Sequence, residues 1–384
     1  MQYGWTQEQE AIRDTARQFA RNKLLPGYQA RDRGGRIDRD LLREMGELGL
    51  IGASVGEEFG GAGLDYVTQG IIAHELAYGD HSMSYPAMVG PALSDIIVRN
   101  AAPAQARSWV PRICRGEVLP GLGLTEPGHG SDAAHIVLRA VRDGNEYVLN
   151  GEKTSISYSD QCDVIILFAR TDPEQAGARG VSTFIVPMDL PGISATAFND
   201  LGTRAVGRGS VFFEDVRISQ DCRVGPEGKG FSQVMVGFDF TRALIGLQCL
   251  GTAQASVDET WEYVQERKAF GSPIVRFEGV SFPLAEAETK LEAARMLCYK
   301  TLWLRTHNRP HTAEAAMCKW WPPKLAFDVI KDCLLLHGHG GYSDDFPHQQ
   351  RLRDVLGLQI GDGTAQIMKL IVAREKGGRI AVPY

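Results

Sequence analysis

The sequence predicts an α+β fold in which a sheet-forming segment separates two helical segments. Apolar residues recur at helical spacing from Thr6 to about Arg115 and again from Gly230 onward. Between them, short β-type runs follow one another from near Leu119 to around Gly225, bounded by Gly, Pro and Asp. Helices and strands do not alternate as βαβ units, so we expect an antiparallel sheet. The expected domains are a helical domain at 1–118, a β domain at 119–228 and a second helical domain at 229–384.

The N-terminal segment contains two amphipathic patterns and one glycine-rich loop. Ile12, Ala16 and Phe19 repeat at the spacing of one helix face, and the apolar residues of 41–50 predict another helix. The loop at 56–65 has glycines at three positions, which permit positive φ and a tight turn. Because the loop lacks the flanking sequence of a phosphate-binding motif, we expect a packed turn.

The later segments are read from runs of β-forming residues and from helical periodicity. The predicted strands are Glu146–Leu149 after the turn at 143–145, Val164–Phe168, Val181–Val186, and Ser210–Phe213 continuing to Val216 and Ile218. The clearest helical patterns beyond them are Ala243–Arg267 and Phe282–Arg305.

A pair of prolines interrupts one of the later helical patterns. Pro322 and Pro323 fall inside a helix that would otherwise run from Thr312 toward Leu336. Each proline removes a backbone donor and disfavours helical geometry at the residue before it. We therefore expect a break or a kink at this point.

The composition is that of an ordinary globular protein of 384 residues, 43% hydrophobic and 23% charged. A formal charge of -6 gives no broad attraction to nucleic acid. The seven cysteines are scattered without CxxC pairs, which argues against a disulfide framework and a zinc site. The chain starts with neither a signal-peptide nor a transit-peptide pattern, and no apolar run approaches the roughly 18 residues of a membrane span. We expect a soluble, cytoplasmic protein that binds no metal.

Near the C-terminus, a carboxylate precedes a predicted helix. Ile367, Leu370 and Ile371 recur at the spacing of one buried helix face. Asp362 lies between two glycines one turn earlier, where a ligand could approach closely and the helix N-terminus could favour an anion. On these residues alone, a plain turn with Thr364 as the helix cap explains the pattern at least as well.

Five further strings are chemically suggestive but ordinary when each is taken alone. A hydroxyl- and glycine-rich loop suits hydrogen bonding to a flat heterocycle, an Asp-x-x-Arg pair suits a helix surface, and a guanidinium suits a pyrophosphate. The strings are LTEPGHGSD at 124–132, NGEKTSIS at 150–157, FDFTR at 238–242, ERKAFG at 266–271 and HGHGGY at 337–342.

Together with GDGTAQIMKLIVAR at 361–374, these strings resemble, in order, six motifs of the acyl-CoA dehydrogenases. The resemblance extends from Trp5 to Glu375. It implies an N-terminal helical domain, a middle β domain and a C-terminal four-helix domain, with FAD between the last two. It also implies an acyl-CoA substrate, a homotetramer in which a neighbouring subunit completes the FAD site, and an electron-transferring flavoprotein as electron acceptor.

The resemblance assigns cofactor contacts to positions in five of the motifs. These residues are Leu124, Thr125, Gly130, Ser131, Ser155, Ser157, Arg267, Phe270, Gly338, Thr364 and Gln366. Ser157 stands where a Thr hydroxyl usually bonds the flavin N5, so the donor is retained. Ser155 stands where a Trp usually covers the flavin ring, so that cover is lost. Arg267 takes the position of an Arg that reaches the FAD pyrophosphate of a neighbouring subunit.

The resemblance also assigns the substrate contacts and the base. The substrate residues are Ser131, Phe238, Asp239, Arg242 and Gly363. Asp362 takes the position of the carboxylate, usually Glu, that removes the α-proton of the thioester while a β-hydride passes to flavin N5. Some branches of the family place the base at the position of Thr241, which cannot serve, so Asp362 is the candidate here.

Three readings of the activity remain open at this point. A shorter base and a missing Trp would suit an acyl group that is bulky near the thioester, and Asp as base is similar to cyclohexane-1-carboxyl-CoA dehydrogenases. A linear or branched short-chain acyl-CoA is the second reading. Nitroalkane oxidases share the fold and an Asp base but dispense with CoA, whereas Phe238, Asp239 and Arg242 are retained here. A flavin-binding relative without activity is disfavoured by an intact Asp362 and Ser157.

Overall fold

The computed structural model describes residues 4–175 and 177–382, and it shows helices, then strands, then helices, as the sequence predicts. The helices of the first region are α1 (Gln7–Phe19), α2 (Tyr28–Gly34), α3 (Arg39–Glu47), α4 (Tyr66–Gly79), α5 (Pro86–Asn100) and α6 (Pro103–Cys114). Thr6 caps α1 by accepting a hydrogen bond from the Gln9 backbone N–H. Ala16 and Phe19 of this helix are buried, which confirms the predicted apolar face.

The glycine-rich loop at 56–65 is a packed turn, as predicted. Gly60 and Gly63 have φ of +80° and +65°, which a glycine adopts without strain. The Gly63 N–H donates to the Val55 carbonyl at 2.8 Å. The loop therefore satisfies its own backbone groups, and nothing in its geometry requires a bound phosphate.

One eight-stranded sheet forms the middle region. Its strands are β1 (Pro120–Gly123), β2 (Arg139–Asp143), β3 (Glu146–Ile156), β4 (Val164–Arg170), β5 (Val181–Pro187), β6 (Ile193–Ala197), β7 (Gly209–Ser219) and β8 (Arg223–Val224). The order across the sheet is β6-β7-β3-β2-β4-β5-β8, with β1 pairing β4. The four predicted strands correspond to β3, β4, β5 and β7.

The expectation of an antiparallel sheet is correct for most pairs and wrong for β1. Residues 120–123 pair in parallel with residues 164–167 of β4, and β2 joins β4 through a single parallel pair, Arg139 with Arg170. A parallel neighbour needs a long connection, which the chain supplies with the 40 residues between Gly123 and Val164. That connection contains two of the suggestive strings.

The C-terminal region is built on one long helix. Its elements are α7 (Gly230–Glu266), the hairpin β9 (Lys268–Ala269) and β10 (Ser272–Pro273), α8 (Glu278–Thr306), α9 (Thr312–Leu336), α10 (His339–Tyr342), α11 (His348–Gly357) and α12 (Ala365–Gly377). Within the described ranges, α7 is the one helix long and apolar enough to cross a membrane, and 78% of its apolar window is buried inside the protein. Such burial is typical of the central helix of a helical core.

The break expected at the two prolines is wrong, because α9 continues through Pro322 and Pro323. Both prolines are buried, and the Cγ atom of Pro322 lies 3.4 Å from where a Cβ on Gly246 of α7 would be. A proline inside a helix costs about 3 kcal/mol, but tertiary packing supplies most of the stability of a helix in a protein. Close packing against α7 therefore holds α9 in a conformation that its local sequence disfavours.

Candidate active site

Asp362 lies in a short loop between α11 and α12, with φ of +56°. Such a conformation is uncommon for a residue with a side chain, and strained backbone is typical of functional sites. Gly363 follows with φ of +96°, and the Thr364 hydroxyl accepts from the Ile367 N–H at 3.3 Å, as the predicted helix cap. The Ala365 N–H donates back to the Gln359 carbonyl, which closes the loop.

Positive charge surrounds the Asp362 carboxylate. The side chain is half-buried, and within the described ranges no group donates a hydrogen bond to it. Burial lowers the pKa of Lys319 to about 8, although the negative charge of Asp362 acts to raise it. Burial likewise lowers the pKa of Arg242, against the charges of Asp239 and Asp362. Because no group of the described residues donates to it, the carboxylate has oxygens free to accept a proton from a bound molecule.

A largely buried guanidinium that interacts electrostatically with this carboxylate was not expected from the sequence. Burial acts to lower the pKa of Arg208, but Tyr85, Asp200 and Asp362 raise it above its ordinary value. Its Nη2 atom donates to the Tyr85 hydroxyl at 2.8 Å, and Asp200 lies 3.6 Å from Nη1. No motif marks Arg208, so only the tertiary structure could reveal it.

The apolar face predicted for α12 is only partly buried. Met368 is its one buried residue within the described ranges, whereas Ile367, Leu370 and Ile371 are half-buried. The helix packs on α9 from one side, and its other apolar residues keep contact with solvent in a single chain. The prediction of a fully buried face is therefore corrected.

The loop after β1 carries the predicted cofactor residues Leu124, Thr125, Gly130 and Ser131. Leu124 is buried, and the Thr125 carbonyl accepts from the Thr154 N–H at 2.9 Å, which joins this loop to β3. Gly130 and Ser131 are exposed, and a Cβ on Gly130 would meet no atom within 4 Å. The loop is thus anchored at its start and open at its end.

A buried ion pair that sequence reasoning missed fixes this loop. The Lys153 Nζ atom of β3 donates to Glu126 Oε1 at 2.8 Å and to the Leu124 carbonyl at 3.0 Å. The other side of the Glu126 carboxylate accepts from the N–H groups of Val137 and Leu138. Burial lowers the pKa of Lys153 to about 8, against the attraction of Glu126. The pair joins the two motifs through residues that are 27 positions apart in the chain.

A sequence signal for this pair existed in the alternation of β3. Tyr147 and Leu149 face the interior, and the same parity places Lys153 inward. A lysine at an inward position needs a partner, because an unpaired buried charge is strongly unfavourable. Glu126 and Asp132 were the carboxylates available in the adjoining motif, and the structure uses Glu126.

The end of β3 is irregular at the two predicted flavin-facing serines. The pairing of β3 with β7 shifts register between Lys153 and Ile156, and Ser155 has φ of +57° and is exposed. Ser157 is half-buried, and its hydroxyl makes no hydrogen bond within the described part of the chain. Tyr158 is fully buried, its hydroxyl has no hydrogen-bond partner among residues 4–175 and 177–382, and burial raises its pKa. This corner leaves polar groups unsatisfied.

The predicted substrate residues Phe238, Asp239 and Arg242 lie together near the start of α7. Arg242 Nη1 donates to Asp239 Oδ1 at 2.9 Å, and its guanidinium carbon lies 5.7 Å from the Phe238 ring centroid. Thr312 of α9 donates to the other oxygen of Asp239 at 2.7 Å. The pair is largely buried, whereas a pair of this spacing is usually solvated. Arg242 acts electrostatically on Asp362, so the structure brings these two motifs together.

Three of the remaining predicted cofactor residues lie outside the Asp362 loop and the helices that flank it, whereas Gln366 lies in α12, four residues after Asp362. Arg267 directly precedes β9, Phe270 lies in the turn of the β9–β10 hairpin, and both are exposed, Phe270 at 96%. Gly338 is exposed at the start of α10, and Gln366 is exposed in the first turn of α12. Within the described ranges Arg267 has no carboxylate partner. None of the described side-chain contacts of Arg267, Phe270 or Gly338 involves the Asp362 loop.

Comparison with known proteins gives matches along nearly the whole chain. Three family models match, described as the N-terminal, middle and C-terminal domains of acyl-CoA dehydrogenase, at residues 6–117, 121–216 and 228–377. The probable acyl-CoA dehydrogenase YngJ of Bacillus subtilis is 33% identical, over 98% of this chain and 99% of that protein.

Two solved structures are similar over their full length. Butyryl-CoA dehydrogenase from Megasphaera elsdenii is 30% identical with a TM-score of 0.94, over 98% of this chain and 100% of that chain. A chain from a study of the electron transferring flavoprotein of Acidaminococcus fermentans is 32% identical with a TM-score of 0.95, over 98% and 99%.

Proposed function

The chain belongs to the acyl-CoA dehydrogenase family, the FAD-dependent oxidoreductases of CH–CH bonds, and from that premise we propose that it desaturates an acyl-CoA thioester with Asp362 as base. The observation that carries the proposal is the Asp362 carboxylate itself. It is held on a closed loop, receives no hydrogen bond from the described residues, and interacts electrostatically with Lys319, Arg208 and Arg242. Thr241, the alternative position, donates its hydroxyl to the Phe238 carbonyl.

The residues near the middle region fit a flavin. The Ser157 hydroxyl has no partner among the described residues, and the loop at Gly130 and Ser131 is open to a ligand. We propose that these residues, with Leu124, Thr125, Ser155, Thr364 and Gln366, hold the FAD of their own chain. When bound, FAD supplies the acceptor for the substrate β-hydride. Removal of the α-proton falls to Asp362, and Arg242 and Asp239 hold the CoA portion with Phe238, Ser131 and Gly363.

The proposed substrate carries a ring or branch at the α-carbon, with cyclohexane-1-carboxyl-CoA as the model compound. Support comes from the short arm of Asp362 and from Ser155, whose small, exposed side chain leaves the position of a flavin-covering aromatic group open. A linear short-chain acyl-CoA is the alternative, and the similarity to butyryl-CoA dehydrogenase favours it. The Asp239–Arg242 pair, retained at positions that resemble CoA contacts, weighs against a nitroalkane substrate.

We further propose a homo-oligomer, a tetramer by resemblance, in the cytoplasm, with an electron-transferring flavoprotein as acceptor. Support for the oligomer comes from exposed apolar side chains of the C-terminal region, which monomers rarely leave uncovered as a group. They include Phe270, Phe277, Phe282, Leu335 and Tyr342. The proposed domain boundaries, 118/119 and 228/229, fall between Cys114 and Pro120 and before Gly230, where regular elements end and begin.

Anaerobic flavin bleaching tests the function. Purified, FAD-loaded protein is mixed with cyclohexanecarboxyl-CoA, butyryl-CoA, octanoyl-CoA and a nitroalkane, and the loss of flavin absorbance is followed. We expect reduction by acyl-CoA compounds with the highest kcat/KM for the cyclic one, and no reduction of Asp362→Asn by any of them. Faster reduction by butyryl-CoA would assign the linear substrate. Reduction by the nitroalkane alone, or full activity of Asp362→Asn, would refute the proposed chemistry.

A further inference from the structure

Lys319 is a fully buried lysine in the middle of α9, and its ammonium group reaches the loop that carries Asp362. The Nζ atom donates to the Leu358 carbonyl at 2.5 Å and to the Gly363 carbonyl at 3.2 Å. A buried ammonium group is costly unless it is paired, so these bonds determine where the side chain can lie.

The two carbonyls lie on either side of Asp362, one four residues before it and the other directly after it. Within the described ranges, no backbone N–H donates to the oxygen of Leu358 or of Gly363. Buried carbonyls need a donor, and here the same ammonium group supplies it for both. Lys319 thus joins the two ends of the loop across the strained residue.

We infer that Lys319 is a positioning residue that holds the Leu358–Gly363 loop closed, so that the Asp362 carboxylate is presented to the substrate α-carbon. The inference rests on the proposed function, since it takes Asp362 as the base. A displacement of about 1 Å at a reacting group can lower the rate on the order of 10²-fold. Loss of the ammonium group would free both carbonyls and let the loop relax from its positive φ values.

The charge of Lys319 gives this role a pH dependence. Burial lowers its pKa to about 8, and the charged groups that face it are Asp362 in the loop and Arg242 of α7. Cys249 of α7 also faces it and stays a neutral thiol, because burial raises its pKa. A neutral amine is a weaker donor to carbonyls than an ammonium group. We therefore expect the closed loop to loosen, and kcat to fall, as the pH rises through about 8.

The decisive comparison is Lys319→Met against Lys324→Met. Lys324 lies on the same helix, is exposed, and pairs with Asp328, so its variant controls for the loss of one lysine from α9. We expect Lys319→Met to lower kcat about 10- to 100-fold while KM for the acyl-CoA changes less than about threefold. Hydrogen–deuterium exchange at the amides of residues 359–366 should increase. The alkaline loss of kcat near pH 8 should disappear. Lys324→Met should match the parent in all three measurements.

The exchange measurement needs no substrate, so it separates this inference from the proposed function. Full activity of Asp362→Asn refutes the base, whatever Lys319 does. Unchanged exchange in Lys319→Met, unchanged kcat, or a rise in KM alone refutes the positioning role while the base stands. If Lys319→Met does not fold, Lys319→Gln, which keeps a neutral donor, is measured in the same way. We expect an intermediate loss of kcat with increased exchange, and parental values of both would refute the role.

Discussion

At the scale of single residues, the side-chain length of the proposed base is expected to select the acyl group. An Asp in place of Glu withdraws the carboxylate by about one C–C bond, roughly 1.5 Å. Asp362→Glu should therefore favour linear chains, and we expect the ratio of kcat/KM for cyclohexanecarboxyl-CoA over butyryl-CoA to fall by about tenfold or more. Steady-state kinetics with both substrates measures the ratio. An unchanged ratio would show that the arm length does not select the acyl group.

The buried pair of Lys153 and Glu126 gives a second prediction at this scale. Lys153→Met leaves a buried carboxylate without its cation, which typically costs about 3–5 kcal/mol. We expect a loss of that size in the free energy of unfolding, with weaker FAD retention because the loop at Gly130 loses its anchor. Lys290→Met, which removes an exposed pair with Glu286, should leave the free energy of unfolding nearly unchanged, because solvent screens an exposed pair. Equal losses in the two variants would contradict the importance of burial.

How far the sequence could define the site depends on what each residue contributes. Asp362, Ser157 and Arg242 could be proposed from the sequence because their motifs are strings of neighbouring residues. Lys319 and Arg208 act on the site from α9 and from the start of β7, and their positions follow from packing between elements. The spacing of residues along the sequence carries no information about contacts between distant elements, so these residues could not be identified before the fold was known.

At the scale of elements, the ion pair between α1 and α4 links helix packing to pH. Arg17 donates to both oxygens of Glu75, at 3.0 and 2.9 Å. Burial acts to raise the Glu75 pKa, but His74 and Arg17 lower it to about 2. A lowered carboxylate pKa gives stability that is present above pH 4.5 and lost as the pH falls toward 2.

Glu75→Gln should therefore lower the free energy of unfolding at pH 7 by about 1–3 kcal/mol. The difference from the parent should shrink as the pH falls below 4.5. Urea unfolding followed by circular dichroism at pH 7, 5, 4 and 3 measures it. A difference that stays constant over this range would mean that the charge of Glu75 does not contribute to stability.

Strands were predicted where they are buried and missed where they are short or exposed. β4 and β5 are almost entirely buried, so their apolar runs are continuous. Most residues of β2 and β6 are polar or exposed, and β8 has only two residues. The hydrophobic signal in a sequence reports burial. The prolines of α9 gave a wrong prediction because local propensity favours a break, whereas packing against α7 keeps the helix continuous.

At the scale of the whole molecule, the exposed segment of Arg267 and the β9–β10 hairpin is predicted to contact the FAD bound by a neighbouring subunit. Arg267→Ala should weaken FAD retention, because a pyrophosphate would lose a charge-assisted hydrogen bond. Arg276→Ala, at an exposed arginine in the same connection, is the matched control. Retained FAD is measured by absorbance over a dilution and salt series. Parental retention in Arg267→Ala would exclude Arg267 as a ligand.

The length of α7 predicts how two inactive variants behave when they are expressed together. Its 37 residues span about 55 Å, and Asp239 and Arg267 lie about 40 Å apart along the helix axis. A chain that contributes Asp362 to one centre would thus contribute Arg267 to another. Co-expressed Asp362→Asn and Arg267→Ala chains should complement each other, since hybrid assemblies contain centres with both groups intact. Activity above the mean of the two separate variants would reveal it, and activity equal to that mean would show that each chain builds its centre alone.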